Sequence, residues 1–536
     1  MLKLKKSILV IISVFPIFSA YAVKPYVVAT INAAGEENII RRDISRTTFG
    51  GGVEFINPQF RDLMKTTTNA QTAIKSLNLG SFRFPNGTPA LYYYWNMPRD
   101  SFINKDAYPG ATKDSILTPD EIYQYTSDSA LRMDKLFEVN TIQYLAPDYK
   151  LYPVINPGSS PATINTTNLN LAAQSAANWV ADNFNKPLSS RVNNWEVGNE
   201  DWVYWTPSEY ATIFNAFALK MKAQRSDIKL LAQSFTGTYK VTGKPENNHT
   251  WLQGLINGGI RKQDVYALSE HEYMNSGAIP SGGNYNDQRI WQTQNMFAQI
   301  ANGWRIPYLK NTLAANNLPW KIWVTEFNVF QKDTSGQPLV LQDLGHALVI
   351  ADWTGYMLSQ NVEKIFMHSL DHHPSFSLVD YVNSNGTINA PKVTAPGYAF
   401  SKYSQSFGPK MVKNTLTGNA TLSSYSSGNY PQVAVYSSVM ESDPLYNGYP
   451  SMRIMVINRS YNDEADITLQ TLNRPIAGSN KKYYVQTLSA NNISDSNLKT
   501  KDLVKWSSLV EAPSNTNGIK KTLPKSSATF FIVPLQ

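Results

Sequence analysis

The chain has 536 residues, no cysteine, and a formal charge of +8 that is not gathered into any basic run. That length can build a large core, over more than one domain. The cysteine count excludes disulfides, a lipidated N-terminal cysteine and a thiol nucleophile, and the scattered charge leaves no footprint for nucleic acid.

Residues 1–22 read as a secretory leader. Lys3, Lys5 and Lys6 supply the positive region, Ser7 to Ala20 the apolar one, and Ala20-Tyr21-Ala22 the cleavage site. The apolar run is shorter than the roughly 20 residues of a spanning helix, and no later segment is apolar for long enough. The expectation is an exported protein, secreted or periplasmic, cleaved after Ala22. Sequons at Asn165, Asn385 and Asn458 matter only in a host that glycosylates.

Within residues 23–45, Tyr26–Ile31 is strand-like and is expected to pair with a sheet formed further along. From 46 to 407, short apolar runs alternate with amphipathic stretches. The predicted strands are Thr48–Phe55, Ser81–Phe84, Leu151–Ile155, Asn194–Val197, Lys229–Ala232, Tyr266–His271, Lys321–Val324 and Lys364–His368. The predicted helices are Arg61–Leu77, Pro119–Phe137, Leu169–Phe184, Ser208–Gln224, Trp251–Gly258, Gln288–Ala315, Leu341–Gln360 and Gly397–Phe407. Eight buried strands alternating with helices make a parallel sheet that closes on itself. From 408 to 536 the texture changes. Gln432–Ser438, Ser451–Ile457, Ala465–Thr471, Lys482–Thr487 and Ala528–Val533 alternate apolar and polar residues between turns rich in Asn, Ser, Gly and Pro. The predicted fold class is α/β: a (β/α)8 TIM barrel with an additional C-terminal antiparallel β-sandwich domain. No low-complexity linker separates the two, so they are expected to pack rigidly.

Two of these strands carry chemistry. Trp195-Glu196-Val197-Gly198-Asn199-Glu200 ends the fourth, and Ile322-Trp323-Val324-Thr325-Glu326-Phe327-Asn328 ends the seventh. Barrel enzymes carry their sites where strands meet the following loops. A pair of glutamates there suits a retaining glycosidase, with Glu200 as proton donor and Glu326 as nucleophile. Either alone reads as an ordinary rim carboxylate; both together, on strands counted independently of the motif, point to hydrolysis. Glu196 lies deeper and reads as a buried structural carboxylate. Asn199 suits an amide that bonds a sugar hydroxyl near the reacting carbon. Such chemistry takes a polysaccharide or oligosaccharide substrate and needs no cofactor and no metal. The contrary reading from another class is a carbohydrate-binding protein that has kept the fold and lost catalysis.

Gly198-Asn199-Glu200 on strand four and a glutamate ending strand seven resemble the clan A glycoside hydrolases, most of all family 51, the α-L-arabinofuranosidases. Thr325-Glu326-Phe327-Asn328-Val329-Phe330 stands where that family has Asp-Glu-Trp-Asn-Val-Trp, and Ser269-Glu270-His271-Glu272-Tyr273 is similar to its Ser-x-His-Tyr-Tyr. Ser81-Phe82-Arg83-Phe84-Pro85-Asn86-Gly87 resembles its Arg-x-Pro-Gly-Gly. Gly50-Gly51-Gly52-Val53-Glu54-Phe55 resembles its Gly-x-Phe-x-Glu, which implies that Glu54 binds the sugar. The resemblance implies an α-L-arabinofuranosidase; other clan activities on β-glucan, xylan or uronic-acid chains are the alternative. Pro85-Asn86-Gly87-Thr88, Glu272, Phe327 and Phe330 depart from the pattern, at positions expected around the subsite for the cleaved sugar.

Supporting residues have two readings each. Tyr273 would bond the nucleophile and hold it ionised, His271 would orient its neighbours, and Arg83 would lower the nucleophile pKa; otherwise they are satisfied core groups and a structural ion pair. Trp95, Trp202, Tyr204 and Trp205 would stack on sugar faces if exposed, or fill the core if not. His368, His372 and His373, with Asp371, would suit a metal by residue type, although the proposed chemistry requires none.

Overall fold

The computed structural model describes residues 24–53, 68–84, 86–87, 90, 150–155, 166–185, 191–203, 205–236, 238–239, 247–248, 251–330, 342–370, 376–382, 388–497 and 502–536. The predicted leader and the helix over Pro119–Phe137 lie outside these residues. Eight parallel strands form a closed barrel: Phe49–Gly52, Ser81–Phe84, Lys150–Ile155, Asn194–Val197, Lys229–Ser234, Val265–Met274, Lys321–Val329 and Lys364–Met367. They are called strands one to eight below. Strand eight closes the ring on strand one through Ile365 against Phe49.

Alternation along each strand divides the barrel interior into layers. Leu231, Ala267, Trp323 and Phe366, from strands five to eight, form a buried apolar plug in the lower half. Two residues further along strands five and six, the inward side chains are Gln233 and Ser269, both buried and joined by a hydrogen bond. The interior thus changes from apolar to polar toward the C-terminal rim. Val324, Phe327 and their outward neighbours pack instead against the surrounding helices.

Strands six and seven run past their predicted ends. Glu270 pairs with Val324, but His271 pairs with Glu326, so Thr325 is an extra residue on strand seven. Strict alternation would turn Glu326 outward, after inward Trp323 and Thr325. The bulge instead turns it into the barrel, a known use of bulges beside functional sites. The predicted helix Gln288–Ala315 is two helices, Tyr285–Ala301 and Ile306–Ala315. Asn302-Gly303 ends the first, with Gly303 at φ +84°, and Pro307 suits the first turn of the second. Thr206 and Glu209 form a capping box at the start of Pro207–Gln224.

Apart from three short two-stranded ribbons, the remaining strands form two facing sheets. One has the order Asn414–Thr417, Tyr26–Asn32, Ala465–Leu472, Ile519–Leu523, so the N-terminal strand is an interior member. The other is built around Val433–Met440, Ser451–Asn458, Ser527–Pro534 and Lys482–Ser489. Val27, Ala29 and Ile31 from the first sheet and Val456, Val485 and Phe531 from the second share one core. The outer face of the larger sheet lies on the barrel helices, where Tyr436, Met455 and Phe530 join the barrel's core.

That junction holds a buried ion pair. Arg459 donates from Nε and Nη2 to Asp352 on helix Leu344–Ser359, at 2.8 Å each, and Tyr436 donates its hydroxyl to the same carboxylate at 2.7 Å. Arg459→Met should leave Asp352 buried and uncompensated, at a cost of about 3–5 kcal/mol. Thermal unfolding would register this as a lower Tm, and adding Asp352→Leu should restore much of the loss. Equal Tm for wild type and Arg459→Met would show that the pair contributes nothing.

Candidate active site

The turn after strand four sets the direction of Glu200. Gly198 has φ +89° and Glu200 φ +53°, so the chain passes through the left-handed region twice in three residues. A Cβ on Gly198 would fall 1.5 Å from the Asp201 carboxylate, which leaves room for glycine alone. A glutamate in this conformation carries strain of about 1–3 kcal/mol, of the kind found where the surroundings over-determine a site. The turn leaves the Glu200 side chain 39 % exposed, with Oε1 3.1 Å from Nδ1 of buried His271.

Glu326 has the opposite surroundings. It is buried, accepts Arg83 Nη1 at 2.5 Å and the Tyr273 hydroxyl at 2.6 Å, and lies 3.5 Å from His271 Nδ1 and 3.7 Å from His368 Nδ1. Burial by itself pushes the Glu326 pKa up. The positive fields of His271, His368 and Arg83, with the Tyr273 hydrogen bond, outweigh it and hold the carboxyl well below its usual range. His271 is moved the other way: burial lowers its pKa, but Glu326 and Glu200 leave it raised.

Arg83 ties the layers together. Its Nε and Nη2 donate to Glu196 at 2.7 and 2.9 Å, Nη2 also to Asn199 Oδ1 at 2.8 Å, and Nη1 also to Asn86 Oδ1 at 2.8 Å. Glu196 further accepts Ser269 Oγ at 2.5 Å and Gln233 Nε2 at 2.8 Å. It is a buried counter-charge for Arg83, beneath the reacting groups. Asn86 also reaches His368, with Nδ2 2.6 Å from Nδ1. Gly52 makes space for that amide, since a Cβ there would meet its Cγ at 2.2 Å.

Arg83, Asn199, Glu200, His271, Tyr273 and Glu326 therefore meet at one end of the barrel, where strands two, four, six and seven finish. Trp202 departs from the exposed sugar platform expected of it. It is 5 % exposed, stacks on Phe235 with ring centroids 4.7 Å apart, and sets its edge against His271 at 5.3 Å. Trp205 is buried as well. Glu272 does not border the site: it alternates with His271 and Tyr273 to the outside of the barrel and accepts Trp304 Nε1 at 2.6 Å. Phe327 is likewise outward, against Trp353 and Phe400, whereas Phe330 and Phe376 frame the Tyr273 ring. Glu54, Trp95, Tyr204, Asp371, His372 and His373 lie outside the described residues. The sequence reading missed Gln233 altogether and gave His368 only a metal role. Its place at the rim of strand eight was the available signal.

One oxygen each from Glu200 and Glu326 and one nitrogen of His271 lie within 4.8 Å of one another, the only three-residue group of potential metal ligands among the described residues. A cation there would have to overcome the fixed positive charge of Arg83, 2.5 Å from Glu326. The arrangement suits acid–base and nucleophilic work directly. A half-exposed carboxyl beside an imidazole can give and take a proton, and a buried, ionised one is placed to attack. Retention requires two carboxyl groups close enough for one to attack the sugar directly, and Glu200 and Glu326 each place an oxygen within 4.8 Å of the other.

Tyr273→Phe removes one donor to the ionised form of Glu326, so its pKa should rise. The acid limb of the rate profile, which needs that carboxylate ionised, should move to higher pH. One hydrogen bond to a charged group corresponds to a shift of about 1–2 units. An unmoved acid limb in the pH dependence of kcat/KM would remove Tyr273 from this role.

No family model matches the sequence, and no curated protein matches it. Solved structures do. A family 51 arabinofuranosidase from Xanthomonas axonopodis pv. citri aligns at a TM-score of 0.67 and 14 % identity, over 95 % of this chain and all of that one. The α-L-arabinofuranosidase of Thermotoga maritima aligns at 0.62 and 15 %, with the same coverage. A family 44 xyloglucanase from Paenibacillus polymyxa aligns at 0.55 and 12 %, again over 95 % of this chain and all of that one. The fold they share with this chain is the barrel with its β-sandwich.

Proposed function

We propose that this protein is an exported retaining glycoside hydrolase acting by double displacement. The observation that carries the reading is the pairing of half-exposed Glu200 with buried Glu326, one oxygen of each within 4.8 Å, at the ends of strands four and seven. The Glu326 carboxylate attacks the anomeric carbon, and the glycosidic oxygen leaves with the proton of Glu200. The products of this step are a glycosyl ester on Glu326 and a free alcohol. Glu200, now ionised, takes a proton from water; the resulting hydroxide bonds to the anomeric carbon, and the Glu326 carboxylate departs. Arg83 and Tyr273 hold Glu326 ionised before attack and stabilise it again as it leaves.

For the substrate, we propose α-L-arabinofuranosyl side chains of polysaccharides or oligosaccharides. The support is the motif likeness on strands one, two, four, six and seven, together with the names of the Xanthomonas and Thermotoga structures. The leader-like first 22 residues support export; mature protein from the exporting host should begin at Val23. A panel of aryl glycosides tests the activity. The α-L-arabinofuranoside should turn over fastest, with the anomeric configuration of the first-formed sugar retained by proton NMR. Preference for a β-xyloside or β-glucoside would reassign the substrate. Binding of oligosaccharides with no turnover of any glycoside would make the protein a carbohydrate-binding one.

A further inference from the structure

Gln233, on strand five, touches neither carboxyl group that would react, yet the geometry of one of them depends on it. It is fully buried. Its Oε1 accepts the backbone N–H of Glu200 at 3.1 Å. Its Nε2 faces three acceptors: Glu196 Oε1 at 2.8 Å, the Gly198 carbonyl at 3.0 Å and Ser269 Oγ at 3.1 Å. One side chain thus clamps the peptide groups on both sides of Asn199, across the turn in which Gly198 and Glu200 are left-handed. The clamp is anchored in turn. Gln233 N–H donates to the Tyr210 hydroxyl at 2.8 Å, Tyr210 donates to the Val197 carbonyl at 2.6 Å, and Trp251 Nε1 donates to the Gln233 carbonyl at 3.0 Å.

We propose that Gln233 is the positioning residue of the acid/base, holding the left-handed Glu200 peptide so that its carboxyl points across the rim. This rests on the glycosidase reading above. Glu326 has its own direct supports in Arg83 and Tyr273, and Gln233 reaches it only through Glu196 and Arg83, so the dependence falls chiefly on Glu200. Loss of the clamp impairs proton donation and leaves the nucleophile in place. The two effects separate by leaving group, because a good leaving group departs without a proton and a poor one does not.

The test compares kcat/KM for two aryl α-L-arabinofuranosides, phenyl and 2,4-dinitrophenyl, in wild type and Gln233→Met. Methionine keeps the length and removes every side-chain hydrogen bond, leaving the backbone bonds to Tyr210 and Trp251. The phenyl substrate should lose about 30–100-fold, part of the roughly 10²–10⁴ that a general acid contributes. The dinitrophenyl substrate should stay within about threefold. Equal losses on both substrates, or none on either, overturn the assignment, since a merely structural role would not discriminate between leaving groups. Gln233→Ala, which leaves space for water, serves as a second variant if the methionine protein does not fold. A wild-type enzyme idle on both substrates would sink the glycosidase reading and this role with it. An active wild type with undiscriminating variants would sink this role alone.

Discussion

Glu326→Ala is expected to abolish turnover on every glycoside, whatever its leaving group. The variant removes the only group among the described residues placed to form the glycosyl ester, and losses of roughly 10⁵-fold or more follow removal of a nucleophile. The fold should survive, because Arg83 keeps its bidentate pairing with Glu196 at 2.7 and 2.9 Å and is not left as a bare buried charge. A Tm near the wild-type value would show that activity, not folding, was lost. Wild-type enzyme treated with an activated 2-fluoro glycoside should gain the mass of one sugar on the peptide containing Glu326. Label on another carboxylate, or a Glu326→Ala enzyme within tenfold of wild type, would mean that another group attacks.

How far the sequence could be read depended on what each signal measured. Hydrophobic runs gave all eight barrel strands, because a buried parallel strand is apolar on both faces. They gave ends poorly where polar side chains occupy the barrel interior, so strand six runs on past His271 through Tyr273 and strand seven past Val324 through Thr325 and Asn328. The motif placed Glu326 at the rim, but the bulge that turns it inward depends on pairing between strands, and no local pattern contains that. Glu272 illustrates the same limit: adjacent to Tyr273 in sequence, it lies on the other side of the sheet. Trp202 was read by residue type, and a tryptophan in a rim loop is as well suited to support His271 from behind as to meet a sugar. Gln233 carried no signal, since its four side-chain hydrogen bonds reach strands four and six and the turn after strand four.

Glu200→Ala should behave differently from Glu326→Ala, because Glu200 supplies a proton and later removes one but forms no bond to the sugar. On a phenyl glycoside kcat/KM should fall by about 10²–10⁴, the range of a general acid. On a dinitrophenyl glycoside the first step should proceed almost unimpaired, since the phenolate departs unprotonated. The ester on Glu326 then waits for water without a base, so kcat should fall, KM should fall with it, and the intermediate should accumulate. Azide needs no base, and it has a way in: the Glu200 side chain is 39 % exposed, and its removal opens space beside His271. Added azide should therefore raise kcat on the dinitrophenyl substrate and yield a glycosyl azide of retained configuration. With Glu326→Ala there is no ester to intercept, so azide can only displace the leaving group directly and any glycosyl azide should have inverted configuration. Should Glu200→Ala hydrolyse unactivated polysaccharide at the wild-type rate, the proton donor is some other residue, and strand four does not carry the acid.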